Sequence, residues 1–552
     1  MRLSEIVHRK KGHTKRSRAR PQRDLHSVQS SSSLLTKLAK ASTKDAWVNH
    51  SRKLDGRRIA LSKSRYMAGL QCHKKLWQTV YDPEPLEEAP PGTVKWMGTE
   101  VGIKARLLWP GGVLVDTKYD DYAEAIRRTK ALISDPTVPA IFEAALVHDG
   151  VLIRVDALER LPDGRWRLNE AKSSTRIKNE HLEDIALQAY VIAGAGLELV
   201  DAHLVYINVE YIRDEEIDWN GLFCREDVTE RLVRFLPELP ERIAEMHEVL
   251  CSHTAPEIRP SRHCFQPHDC EFWKYCTANK PSDWVFHIPR LSSSDFDELE
   301  SFDAISMRDV PHNFPLNARQ KRVVDAAKSG KVYRSPELAK FLPILAPPVS
   351  YLDFETFSPA IPMYVGTRPY ERIPFQWSLH YSDRDGSGSL AHSEFLANGD
   401  TDPRREFSET LLRVSEQVPG AVMAWSRFEE KVIRDTADLF PDLAERLIAL
   451  LHRVVDLLPI VQNNVTHPGF HGSYSMKAVA PAVAPDVTYD DLDIAEGGGA
   501  SAAFYRIIAD PTLSREARDG LRQSLLEYCE RDTLALARVH QWLIQDSRKY
   551  DS

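Results

Sequence analysis

Runs of apolar and β-branched residues interrupted by single polar positions mark strands at 151–161 and 166–172, joined by the turn residues Pro162, Asp163 and Gly164. Helical spacing of apolar residues follows at 183–193. A longer helical stretch spans 226–250, broken by Pro237 and Pro240. Between 278 and 349 the pattern predicts a mostly helical connector, with pieces at 295–302 and 318–327. From 349–354 a second series begins, with strands at 349–354, 375–381 and 421–425 and helices at 404–417, 428–436 and 521–546. Strands mixed with helices in both series predict two α/β layer domains, at 61–277 and 350–545. No internal repeat is visible.

Length agrees with this division, since 552 residues exceed what one hydrophobic core supports. No apolar run is long enough to cross a bilayer, and the first residues lack the apolar core of a secretion signal, so a cytoplasmic protein without membrane partners is expected. The net charge of −8 conceals an asymmetry. Residues 1–58 hold sixteen Lys and Arg against four Asp and Glu, so the rest of the chain is more acidic than the total suggests. That basic, serine-rich stretch lacks apolar periodicity and is expected to be disordered. An acidic chain is not an obvious nucleic-acid binder, but binding follows the local field rather than the total charge.

Chemistry enters with two groups of acids. Asp156 is followed fourteen residues later by Glu170-Ala171-Lys172 on the next strand. Two acids on paired strands can converge on one hard divalent cation, with the residue 171 carbonyl as a further oxygen ligand. Period-two alternation puts Lys172 on the face of Glu170, where it can orient water or stabilise developing charge. Gln188 and Tyr190 follow on a helix that can approach the same place.

Three of the seven cysteines, Cys264, Cys270 and Cys276, are evenly spaced, and Cys72 lies far upstream. In a chain expected to stay in a reducing compartment they suggest metal rather than disulfide chemistry, and four thiolates can hold a [4Fe–4S] cluster or a zinc ion. Because they bracket the Asp156–Lys172 segment, such a centre would staple the beginning of the domain to its end. Cys224, Cys251 and Cys529 lack comparable company and read as ordinary buried thiols.

Taken together, these motifs over 61–277 resemble the iron–sulfur PD-(D/E)XK nucleases, which include the CRISPR adaptation exonucleases and the AddB subunits of recombination helicase–nucleases. The resemblance implies a restriction-endonuclease-like fold. It also implies Asp156, Glu170 and Lys172 as an active-site triad holding Mg²⁺ or Mn²⁺, Gln188 and Tyr190 as the following helix motif, and Cys72, Cys264, Cys270 and Cys276 as ligands of a [4Fe–4S] cluster. Many members add an N-terminal histidine ligand. None stands near Gly98–Gly102 here, where Glu100 is the available substitute.

The second group begins with Asp353 and Glu355, two carboxylates on one face of a strand. It closes with Tyr528 and Asp532, one helical turn apart. This order resembles the DnaQ-like exonucleases of the ribonuclease-H fold, or DEDD type. There four carboxylates hold two metal ions and the tyrosine orients water. The resemblance implies a middle acid. Glu429 is the candidate, in place of the usual aspartate, while Asp435 is less well placed and Asp456 looks like a strand-end acid outside the metal shell. Across 350–545 the chain is also similar to a bacterial domain-of-unknown-function family, number 2779, through 353–357, 374–378 and 471–477. Residues 472–477 offer small, polar and cationic groups suited to a phosphate, or a plain loop.

The expectation is a metal-dependent nuclease, with no visible groove-reading motif, hydrolysing single-stranded or end-containing DNA in repair, recombination or defence, alone or with a helicase partner. The alternative is an iron–sulfur nucleic-acid-binding or redox-sensing protein in which one or both acid sites are degenerate.

Overall fold

The computed structural model describes residues 61–82, 91–118, 120–382, 390–494 and 496–547. The basic segment 1–58 lies outside the described residues. No helix among those described is long and apolar enough to cross a membrane. The chain is mixed α/β, with two large sheets.

The first sheet contains β1 (Leu61–Ser62), β2 (Val113–Leu114), β3 (Ala140–His148), β4 (Val151–Arg160), β5 (Trp166–Lys172), β6 (Leu199–Ile207) and β7 (Phe223–Asp227). Its order is β2-β3-β4-β5-β6-β7, with β1 parallel to β4. β3, β4 and β5 form an antiparallel meander, and β6 then joins β5 in parallel. Helix α1 (Lys63–Gln71) and helix α2 (His73–Tyr81) open the domain, and α3 (Asn179–Gly194) crosses between β5 and β6. From Ile185 to Ala193 every residue of α3 is buried, so it is a core helix rather than an amphipathic surface one.

Expected strands and helices here agree with the structure except over 226–250. Its beginning is the edge strand β7, and helix starts in earnest only at Leu239–Cys251, behind Pro237 and with Pro240 in its first turn. A polar edge strand such as Phe223–Asp227 has no apolar alternation to betray it.

The connector carries its own small aromatic core. Trp284, Phe286 and Phe296 pack with Trp273 of the cysteine loop, the Trp273 and Trp284 rings lying 5.8 Å apart. Its end, β8 (Tyr333–Arg334), pairs with a strand of the second domain, so the connector belongs to both neighbours.

The second sheet has the order β11-β10-β9-β12-β13, from β9 (Val349–Phe357), β10 (Ile373–Ser382), β11 (Leu390–Leu396), β12 (Ala421–Ala424) and β13 (Val454–Asp456). The short strand β14 (Val465–Thr466) is the partner of β8. β9, β10 and β11 are antiparallel, whereas β12 and β13 run parallel to β9. One face is covered by Arg404–Ser415, α4 (Phe428–Leu439) and Ala444–Leu451. The other is covered by α5 (Met476–Val483), Gly497–Ala509 and the long α6 (Arg515–Ser547). The β9 pattern Val-Ser-Tyr-Leu-Asp-Phe-Glu-Thr-Phe buries residues on both faces, as a central strand requires.

Candidate active site

Two acid clusters lie where one strand outruns its neighbour, one in each sheet: beyond the β4–β5 ladder and beyond the β9–β12 ladder. In the first, the β4–β5 ladder runs to Ala157 opposite Asn169, leaving Asp156 and Glu170 at its open end. Asp156 Oδ2 accepts the Ala171 amide at 2.9 Å. Glu170 Oε1 is 2.8 Å from Lys172 Nζ and 2.8 Å from Lys63 Nζ, and Gln188 Nε2 donates to Oε2 at 2.8 Å. Gln188 also donates to Asp184 Oδ1 at 2.9 Å, and Lys172 bonds the other oxygen of Asp184. Lys63 and Asp184 are therefore members of this cluster that sequence reasoning missed.

Both have simple structural origins. Ser62 caps α1 by accepting the Arg65 amide, and β1 pairs beside the start of β4, which hangs Lys63 over the acids. Asp184 stands one helical turn before Gln188 on α3, a spacing that could have drawn attention to it.

Tyr190 falls elsewhere. Two residues beyond Gln188 on a helix, it points to another side, and its hydroxyl donates to Asp149 at 3.1 Å in the β3–β4 turn. Glu100 likewise faces away, accepting from Tyr505 of the second domain at 3.3 Å. The acid opposite Asp156 is instead Glu143. Its φ of 54° interrupts the β3–β4 ladder between Phe142–Ala157 and Ala144–Val155. A non-glycine residue in that region costs about 1–3 kcal/mol, a strain found where side chains are aimed for a purpose. Glu143 pairs with Arg106 at 2.9 Å and joins Asp156 and Lys63 around a cleft of about 180 Å³.

Burial raises Glu170 to about 7, helped by Asp156 and opposed by Lys172 and Lys63. Burial also pushes Asp184 up, but Lys172 and Lys63 outweigh it and hold that carboxyl well below the usual range. Every carboxylate of this cluster has a cationic or amide partner.

Cys72 ends α1 and begins α2. Gln71 Nε2 donates to the carbonyls of His263 (3.2 Å) and His268 (2.7 Å), and Lys75 pairs with Glu271 at 2.8 Å, so the two ends of the domain are tied beside the cysteines. Burial raises the thiols of Cys264, Cys270 and Cys276. Cys72 adds to the effect at Cys264 and Cys276, which places the four within one electrostatic neighbourhood. Of the remaining thiols, Cys224 and Cys251 are only half-buried. Cys529 is not without company: its sulfur lies 3.4 Å from Asp353 Oδ2.

In the second cluster, Asp353 and Glu355 from β9 and Asp532 from α6 bring carboxylate oxygens within 4.8 Å of one another. Glu429, at the start of α4, lines the same cleft of about 270 Å³ with Asp353, Tyr528 and Asp532. Its Oε2 is buried and accepts no hydrogen bond among the described residues. Asp456 caps the helix after β13 by accepting the Leu458 amide, and Asp435 is exposed near Arg372, so neither joins the group.

Burial, with mutual repulsion, raises Asp353 and Glu355 far above the carboxylate range and Glu429 to about 8. Lys477 is the cation at this cleft, and it donates to Tyr528 Oη at 3.0 Å. It comes from the 472–477 segment, where Gly472 (φ 81°) packs so closely on the His287 carbonyl that a Cβ would lie 2.1 Å from it. Tyr489, unnoticed in the sequence, donates to Asp532 at 2.6 Å. Trp425, Phe428 and Met476 supply apolar walls.

No curated protein and no solved structure matches the chain. Residues 350–475, which carry Asp353, Glu355 and Glu429, match the family model of a domain of unknown function, DUF2779.

Proposed function

We propose that the protein is a metal-dependent nuclease whose hydrolytic centre is the cluster of Asp353, Glu355, Glu429 and Asp532. The observation that carries this reading is the convergence of four largely buried carboxylates with one lysine, which is already engaged by a phenol. Carboxylates desolvated together either keep protons or hold cations. The all-oxygen donor set and the unpartnered Glu429 Oε2 fit Mg²⁺ or Mn²⁺. When bound, such ions activate water and neutralise charge on a phosphodiester.

The chain's own groups do the rest. Tyr528 is held by Lys477 and stays protonated, because burial and the surrounding acids raise it, so it serves as a donor that positions water. Tyr489 fixes Asp532. The Trp425, Phe428 and Met476 walls suit a base stacked at the end of a strand. The order of antiparallel and parallel strands in the second sheet is consistent with the ribonuclease-H-like reading. The strand-strand-strand-helix-strand order of β3, β4, β5, α3 and β6 is consistent with the PD-(D/E)XK reading of the first domain. Cys72, Cys264, Cys270 and Cys276 would hold its iron–sulfur cluster, a fit supported by the tie between α1 and the 263–271 loop.

A second reading applies to the first domain alone. Lys63 and Lys172 neutralise Glu170 and Asp184, which favours a domain that holds nucleic acid while the second domain cuts. The test is cleavage of end-labelled single-stranded DNA, duplex DNA and RNA by anaerobically purified full-length protein with Mg²⁺ or Mn²⁺. Asp353→Ala is expected to abolish cleavage and Asp156→Ala to slow it by about tenfold or less. Absence of cleavage by the wild type on every substrate, or full activity of Asp353→Ala, would overturn the proposal.

A further inference from the structure

On the other flank of the same helix lies a group of different chemistry. His380 on β10 stands directly opposite His392 on β11, and their rings stack with centroids 4.5 Å apart. Glu530 of α6 faces them across the sheet surface, its Oε1 3.8 Å from His392 Nδ1. One ligand atom from each of the three residues lies within 4.8 Å of the others.

The hydrogen bonds around the two rings determine which nitrogens are free. Thr533 Oγ1 lies 3.0 Å from the Glu530 carbonyl and 3.3 Å from that of Cys529, so its hydrogen goes to the helix backbone. Its oxygen then accepts from His380 Nδ1 at 2.8 Å and from Ser378 Oγ at 2.8 Å. With its hydrogen given to Thr533, Ser378 accepts from His392 Nε2 at 2.9 Å. This chain sets both tautomers and leaves His380 Nε2 and His392 Nδ1 as bare lone pairs. An oxygen that holds one ring nitrogen while the other binds an ion is the usual support of a metal-ligating histidine.

We infer that His380, His392 and Glu530 form a second metal site, separate from the acid cluster, which takes a borderline divalent transition ion of the zinc type. Two imidazoles and one carboxylate suit zinc and its neighbours, whereas the carboxylate cluster suits Mg²⁺ or Mn²⁺. Glu394, two residues from His392 on the same strand face, is within electrostatic reach of both His392 and Glu530 and adds negative charge there. The ion would cross-link the β10–β11 pair to α6, the helix that carries Tyr528 and Asp532. This inference does not depend on nuclease activity.

The experiment uses full-length protein stripped with a chelator, reloaded with Zn²⁺ alone and dialysed, with zinc and iron counted separately. Zinc held by the cysteines or the acid cluster is common to all variants, so the readout is the difference between them. The wild type is expected to retain one more zinc than His392→Ala and than Glu530→Gln, with iron unchanged. Ser378→Ala is expected to weaken that zinc by about 10–100-fold. Glu530 is half exposed, so Glu530→Gln decides the matter if His392→Ala folds poorly. Equal zinc in the wild type and in folded Glu530→Gln would sink the inference.

Discussion

Glu170 and Asp184 share two lysines and a glutamine, with Asp156 held by the Ala171 amide beside them, whereas the acids of the second cluster have one lysine at their cleft, and it is bonded to a phenol. Both clusters are buried where one strand outruns its neighbour. The difference is charge balance. In the first, Lys63 and Lys172 do inside the protein part of what a cation would otherwise do: they keep Asp184 ionised, although burial still raises Asp156 and lifts Glu170 to about 7. In the second, burial and repulsion push the acids toward their protonated forms, a cost that bound cations relieve. Similar acids thus differ in their demand for metal because of what stands next to them.

The largest expected contrast is catalytic. Removing a ligand of the second cluster with Asp353→Ala costs several kcal/mol of transition-state stabilisation, at least about a thousandfold in rate. Asp156→Ala is expected to cost about tenfold or less, as judged by single-turnover cleavage. Equal losses would dissolve the comparison. Next in size, Tyr528→Phe is expected to slow cleavage by roughly 10–100-fold with little change in substrate binding, since the hydroxyl acts on water rather than on the strand.

Stability then tests the charge balance directly. Lys63→Ala leaves Glu170 and Asp184 short of a counter-ion. Because Lys63 keeps 24% of its side-chain surface exposed, the loss should be about 1–3 kcal/mol rather than the larger cost of a fully buried pair. Added Mg²⁺ should restore more of the melting temperature of this variant than of the wild type. An unchanged melting temperature would show that the lysine is dispensable.

The pH dependence has a definite sign. Burial, with Asp456 and Asp532, raises Glu429 from an ordinary value of 4.5 to about 8, so between these values the folded chain keeps a proton that the unfolded chain has released. Stability of the metal-free protein should therefore fall as pH rises from about 4.5 to about 8. Mg²⁺ should raise the melting temperature more at the upper end, and Glu429→Gln should flatten the profile. A metal-free profile as flat as that of the variant would contradict the assignment. The smallest effect belongs to Tyr190→Phe, expected to cost about 1 kcal/mol through loss of the Asp149 bond and nothing in cleavage.

Much of this could be read in advance where local rules operate. The Asp-x-Glu of β9 and the Tyr-x-x-x-Asp of α6 have their spacing set by strand and helix periods, so their faces follow from the sequence. Glu170 and Lys172 share a strand face for the same reason. Tyr190 was misplaced because a helix turns about 100° per residue, which sends it away from Gln188. The edge strand β7 carried no apolar alternation, and the role of Cys529 depends on a contact between residues 176 positions apart.

By itself the sequence determined the strand and helix periods, the acids available on each face, and the cysteines bracketing the first domain, because these depend on neighbours a few residues away. Tertiary structure alone decided that Lys63 reaches Glu170, that Glu429 lies beside Asp532, and that His380, His392 and Glu530 meet. Charge compensation and metal affinity arise between side chains from distant segments in a shared, desolvated space, and no local period encodes that distance.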